Sequence, residues 1–201
     1  TRNTLDDRVF PTTGKKYTLM GELIGDPFFN ALKLTAEGRW YKPVYEAPDG
    51  SKHVLSWWGD VGTIAGGDVP VFERFYAGGL GSVRGFATHG ISPIAQDNNP
   101  LAQSAAVGGR FKMEGGVEYL FPIIKDSLRG LVFLDAGSVS ADTLGIGSAF
   151  SDLRVSTGVG VHFLIPQLGR VPIVVYLGFP LKKVSGDDTE AFSFSLGILF
   201  P

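Results

Sequence analysis

Strict alternation of side-chain character constrains this chain more than any other feature. From Leu153 to Ile165, one set of alternate positions reads Leu153, Val155, Thr157, Val159, Val161, Phe163 and Ile165. The other reads Arg154, Ser156, Gly158, Gly160, His162 and Leu164. Successive side chains of a strand point to opposite faces, so this segment reads as a strand with one apolar face and one polar or small face. Similar runs at 15–24, 29–42, 53–65, 107–121, 127–137, 171–179 and 192–200 bring the expected number of strands to eight. The run at 171–179 is apolar on both faces and leaves its orientation open. Helical periodicity is nearly absent.

Turn signals separate the runs: PTTG at 11–14, GDP at 25–27, PVYEAPDGSK at 43–52, FPIIKDS at 121–127, IPQLGR at 165–170 and GDDTE at 186–190. Connection lengths alternate. Long loops at 66–106, 138–152 and 180–191 fall at one end, and short turns at the other, with 25–28 a short exception on the long-loop side. Long loops on one rim and short turns on the other are the habit of outer-membrane barrels. The expectation is an all-β, antiparallel transmembrane β-barrel spanning 1–201 as a single domain. Residues 1–10, TRNTLDDRVF, do not read as a complete lipid-facing strand and look like the interior of a longer chain. An even strand number places both termini on the same, periplasmic, side.

Alternation alone does not say which face is inside, since a soluble lipocalin-like barrel turns its apolar face inward. Three features favour the membrane. The strands are about the 9–11 residues needed to cross hydrocarbon at a tilt. The apolar faces of the five clearest strands carry no charge, and a lipid-facing Arg or Lys costs roughly 2–4 kcal/mol at the midplane. Aromatic residues gather near strand ends, at Trp40, Tyr41, Trp57, Tyr119, Phe121, Phe163, Phe179 and Phe200. An antiparallel sheet in lipid must also close, because open edges would leave backbone groups unpaired.

Composition removes several functions. Formal net charge is −2, which gives no basic field for nucleic acid, and the absence of cysteine removes disulfides and thiol chemistry. His53, His89 and His162 have no metal-ligand spacing. No G-x-S-x-G or G-x-G-x-x-G occurs. Neither a catalytic residue, a metal site nor a cofactor is expected.

The stretch "ERFYAGGLGSVRGF" at 73–86 sits in the longest loop, where a long structureless segment is usually functional or disordered. With the charged face inward, Arg110, Lys112, Glu114, Glu118, Arg129, Asp135 and Arg154 share one lumen. Glu118 and Asp135 flank the short turn after Phe121 and come close. Glycines permit close backbone approach, so Arg84 is expected to fold back and meet both carboxylates, for which a guanidinium fork is well shaped. Arg154 has no evident unique partner.

These motifs together resemble the BamA-type outer-membrane protein assembly factors, a superfamily that includes FhaC-like two-partner secretion transporters. Val83-Arg84-Gly85-Phe86 resembles the family's VRG-aromatic loop motif. Phe133-Leu134-Asp135-Ala136-Gly137 resembles its F-x-D-x-G motif, "GGVEYLFP" at 115–122 the strand after the loop, and "FPTTGKK" at 10–16 its FPTxG turn. "FSFSLGILF" resembles the closing strand that serves as assembly signal, with Phe192, Phe194, Gly197 and Phe200. Pro201 departs from that signal, which usually ends on the aromatic.

The resemblance covers essentially the whole chain and corresponds to the C-terminal half of a sixteen-stranded barrel that follows periplasmic POTRA domains. It implies an outer membrane of a Gram-negative-type bacterium, insertion or translocation of client polypeptides, and a loop whose Arg contacts the lumenal Asp. The partners implied are outer-membrane lipids, client β-barrel or secreted proteins, and a second copy or the missing barrel half. An eight-stranded barrel has an interior just wide enough for side chains and does not easily hold this loop. Three arrangements therefore stay open: half of a larger barrel, a short chain that pairs with a copy, or a lone barrel with its loop mostly outside. A short family member acting as a structural or pore-forming barrel is the alternative function.

Overall fold

The computed structural model describes residues 1–26, 29–95, 105–125, 127–165 and 171–196. Nine antiparallel strands form one sheet: β1 Arg2–Asn3, β2 Gly14–Asp26, β3 Phe29–Glu46, β4 Lys52–Gly66, β5 Phe111–Ile124, β6 Leu128–Ser140, β7 Arg154–Ile165, β8 Val171–Lys182 and β9 Phe192–Leu196. Each strand pairs with its neighbours in chain order, from β1 to β9. Eight of them answer to the expected runs. The ninth is β1, a two-residue strand on β2 through Arg2↔Tyr17 and Asn3↔Lys16. Of the turn signals, those at 25–27, 121–127 and 165–170 lie partly outside the described residues, and Gly197, Phe200 and Pro201 of the terminal strand lie outside them.

Side-chain exposure follows the alternation. On β6, Val132 and Leu134 are exposed while Leu131, Phe133 and Asp135 are buried. On β7, Val159, Val161 and Phe163 are exposed while Arg154, Ser156, His162 and Leu164 are buried. The open case of β8 resolves the same way: Val174 and Tyr176 face in, Leu177 and Phe179 face out. Large apolar side chains stand on the outer surface because the inner surface is the one that the loop covers.

The outer aromatics are ordered at the short-turn end. Trp40 and Trp57 are directly paired and stack with centroids 6.2 Å apart. Trp40 Nε1 donates to the Tyr17 hydroxyl at 2.7 Å. Such amphipathic rings suit a membrane interface. Tyr41 departs from the sequence expectation: it is packed against the inner cluster, opposite Ser56, and belongs to the lumen.

The long loop differs from the expectation in bounds and content. It runs from the end of β4 at Gly66 to Phe111, because 107–110 bond to loop and rim backbone and are not part of β5. It holds a short 3-10 turn, Val71–Glu73, and bridges Phe75↔Gly109, Ala77↔Ile91 and Ile94↔Ala106. Arg110 therefore sits at the rim, where its guanidinium donates to the carbonyls of Gly66 (2.9 Å) and Gly67 (2.5 Å). A helix that the sequence periodicity did not suggest, α1 (Ile146–Ser151), lies between β6 and β7.

The loop lies on the concave side of the sheet. Val83, Phe86 and Ile91 pack with Ile64, Val69 and Val139 into an apolar cluster inside the curve. Full burial of one such side chain is worth roughly 1.5–3 kcal/mol, so this cluster is a main source of loop order. Among the described residues β1 and β9 are the two ends of the sheet. The arrangement with the loop mostly outside a lone barrel is not the one observed.

Candidate functional site

The site is built where β5 and β6 face the loop. Glu118 and Asp135 both point into the lumen, Glu118 opposite Phe133 and Asp135 opposite Gly116. A Cβ on Gly116 would collide with Asp135 Oδ1 and approach Trp58 Nε1 at 2.6 Å. The bare glycine thus makes room for the carboxylate against the sheet. Asp135 is 0% exposed and Glu118 4%. Two carboxylates at such depth need a cation and hydrogen bonds.

Arg84 supplies both. Its Nε donates to Asp135 Oδ2 at 2.7 Å and its Nη2 to Asp135 Oδ1 at 2.8 Å, a two-pronged fork. The Arg84 backbone N–H adds a third bond to Asp135 Oδ2 at 3.2 Å. Nη1 lies 2.8 Å from Glu118 Oε1. The guanidinium stands over the Phe133 ring at 3.8 Å and near the Tyr176 ring at 4.9 Å. A planar, weakly hydrated cation fits between carboxylates and aromatic faces in a way a lysine would not. Burial by itself would lower the pKa of Arg84, but Glu118 and then Asp135 outweigh it and hold it raised.

The neighbours of Arg84 are fixed by backbone fit. Gly85 has φ 89° and lies against Gly178 of β8. A Cβ on Gly178 would stand 2.7 Å from Gly85 N and 2.9 Å from its Cα. Val83 leans on Gly137, where a Cβ would stand 2.6 Å from Val83 Cγ2. Phe86 is completely buried. The Val83–Phe86 stretch therefore meets Phe133, Asp135 and Gly137, every second residue of β6, on one face.

A second ionic group lies beside the first. Lys112 Nζ bonds Asp60 Oδ2 at 2.5 Å and Glu114 Oε1 at 2.8 Å, and the Ser82 hydroxyl donates to Glu114. Four further features carry no signal in the sequence alone. Arg154 has a specific partner after all: its Nη2 and Nε reach Asp187 at 2.8 and 3.0 Å, with both side chains buried. The loop carrying Asp187 pairs with the VRGF loop through Ala87 N to Asp188 O (3.1 Å), Asp188 N to Gly90 O (3.0 Å) and Glu190 N to Gly85 O (3.2 Å). His162 Nε2 and the Tyr176 hydroxyl are 2.6 Å apart, closing the floor beneath Arg84. Phe10 of the N-terminal turn reaches the same end, with Arg129 over its ring at 4.5 Å and Arg129 Nη1 donating to the Pro11 carbonyl at 3.2 Å.

Phe192 and Phe194 are exposed on the outer face of β9, the sheet's last strand, on the opposite side of the wall from this cluster. Among the described residues no group of His, Asp and Glu is arranged to hold a metal ion.

An antiparallel sheet with an apolar outer belt, an ionic inner wall and a loop folded inward is the wall of a transmembrane β-barrel. The chain belongs to the Omp85 superfamily, whose domain model matches residues 1–200. It is 32% identical to the outer membrane protein assembly factor BamA of Neisseria meningitidis serogroup B, over 99% of this chain and 28% of that protein. Against BamA of Nitratidesulfovibrio vulgaris the identity is 31%, over 100% of this chain and 25% of that one. The chain thus spans about a quarter of the length of these relatives. A crystal structure of Haemophilus ducreyi BamA lacking POTRA domains 1–3 shares the fold at a TM-score of 0.77, with 24% identity over 96% of this chain and 40% of that one.

Proposed function

We propose that this chain is the C-terminal barrel region of an outer-membrane factor that inserts β-barrel proteins or translocates polypeptides. Val83–Phe86 acts as a latch that keeps the long loop seated on the inner wall. One observation carries the reading: Arg84 spends its whole guanidinium on Asp135 and Glu118, and its own backbone N–H as well. Such a fixture orders a loop inside a barrel. The assembly role rests on the family and on the relatives named for it.

On this reading the outer face meets outer-membrane lipid, and both chain termini lie on the periplasmic side, since the two-residue β1 does not span and eight longer strands remain. The wall is completed by a further barrel half or a second copy, and β9 with Phe192 and Phe194 forms one border of a seam that receives client strands. No cofactor takes part, because client folding itself supplies the free energy. The test is insertion of a β-barrel client into liposomes carrying the full chain, with Arg84→Ala alongside. Accelerated client folding that the substitution reduces supports assembly. Steady ion conductance with no effect on clients overturns it in favour of a pore.

A further inference from the structure

The loop between β6 and β7 turns back over the outside of the barrel wall. Outward positions on β6 are Val132, Leu134, Ala136, Ser138 and Ser140, and the last two are buried although they face away from the lumen. Over Ser140 lies α1. Ser140 Oγ lies 2.8 Å from Ser148 Oγ, and the Asp142 N–H donates to Ser140 Oγ at 3.3 Å. Thr63, on the outer face of β4, donates its hydroxyl to the Thr143 carbonyl at 2.6 Å. Ala149 of α1 is completely buried against the wall.

The far side of this segment is apolar. Leu144, Ile146 and Phe150 are 78%, 53% and 61% exposed. Ile146 and Phe150 are four residues apart and share a helix face. Leu144 closes an apolar recess on the wall with Leu19, Leu34, Val61 and Phe111, so the patch is continuous with the outer belt. Its height can be placed along β6. The ten residue steps from Leu128 to Ser138 rise about 34 Å along the strand, or roughly 26 Å along the normal at a tilt of ~40°. An outer-membrane apolar band is about 25 Å tall. The segment therefore sits at the upper margin of the belt. The exposed Lys182 reaches the Ser151 carbonyl at 3.3 Å, a cation at the height where long basic side chains meet headgroups.

We infer that residues 141–153 form an interfacial anchor, seating Leu144, Ile146 and Phe150 among headgroups and upper acyl chains of the leaflet on the long-loop side. The inference rests on the outer face being the lipid face, and the experiment separates the two. The chain has no cysteine, so single nitroxide labels can be placed cleanly. The full chain is reconstituted in phosphatidylethanolamine–phosphatidylglycerol vesicles with Ile146→Cys or Phe150→Cys. Val132→Cys on the mid-belt and Asp49→Cys in a short turn are the references. Relaxation by oxygen is compared with relaxation by a water-soluble nickel chelate. Labels at 146 and 150 should show an oxygen-to-nickel ratio several-fold above that at 49 and approaching that at 132. Ratios at 146 and 150 equal to that at 49, with 132 in lipid, overturn the anchor alone. An aqueous ratio at 132 overturns the lipid face and the anchor with it.

Discussion

Arg84→Ala removes the guanidinium that bonds both Asp135 and Glu118. Both carboxylates stay buried, with Asp135 also losing its two-pronged fork. Deleting one partner of a buried pair costs roughly 3–5 kcal/mol. That penalty falls on the seated loop and not on the sheet, whose ladders are untouched. At about 1.4 kcal/mol per decade, the open-loop population should rise roughly 100- to 3,000-fold. Chymotryptic cleavage after Phe86 reads this directly, because Phe86 is completely buried when the loop is seated. Cleavage tracks the open population when reclosing is fast. Asp135→Asn should raise cleavage in the same direction. The double variant Arg84→Ala/Asp135→Asn should be less cleavable than the two single effects multiplied, since it leaves one buried carboxylate instead of two. Cleavage of Arg84→Ala within about threefold of wild type, under conditions where urea exposes Phe86, would refute the reasoning, because threefold is worth only about 0.7 kcal/mol.

Gly178→Ala should unseat the same loop with no change in charge, since its methyl would press on Gly85 N and Cα; chymotryptic exposure of Phe86 at wild-type rate would show that the fit is not needed. Arg154→Leu should be severe, leaving Asp187 buried without its cation, a cost of roughly 3–5 kcal/mol. Proteolysis within 183–191, followed by cleavage at Phe86, is the expected order, because the two loops share backbone hydrogen bonds. Cleavage within 183–191 with Phe86 still cut at the wild-type rate would falsify that coupling.

Alternation made the strands and their facing legible because a two-residue period survives any tertiary context. Arg84, Glu118 and Asp135 were legible as a group for a different reason: alternation put the two carboxylates on one wall, and the resemblance of Val83–Phe86 and Phe133–Gly137 to paired family motifs aimed the loop guanidinium at them. The pair Arg154–Asp187 was not, because Asp187 sits in a loop of irregular backbone and no periodicity aims a loop side chain. Tyr41 was misplaced because an aromatic near a strand end reads as interfacial whichever way it points; counting two residues from Arg39 places it inward. Gly116 and Gly178 carry no sequence signal that separates them from other strand glycines. Only the third dimension shows what a Cβ would strike. Helix α1 is too short, at Ile146–Ser151, to register a 3.6-residue period.

The central claim is that the Val83–Phe86 stretch rests against the inner face of β6. Val83→Cys with Gly137→Cys tests it in a chain that otherwise has no cysteine. Val83 Cγ2 stands 2.6 Å from the place a Cβ would take on Gly137, within reach of disulfide geometry. Mild oxidation of the membrane-embedded chain should crosslink this pair nearly completely and leave Val83→Cys/Val132→Cys, with its second thiol on the outer face, uncrosslinked. Failure of the first pair to close, or equal closure of both, would contradict the account.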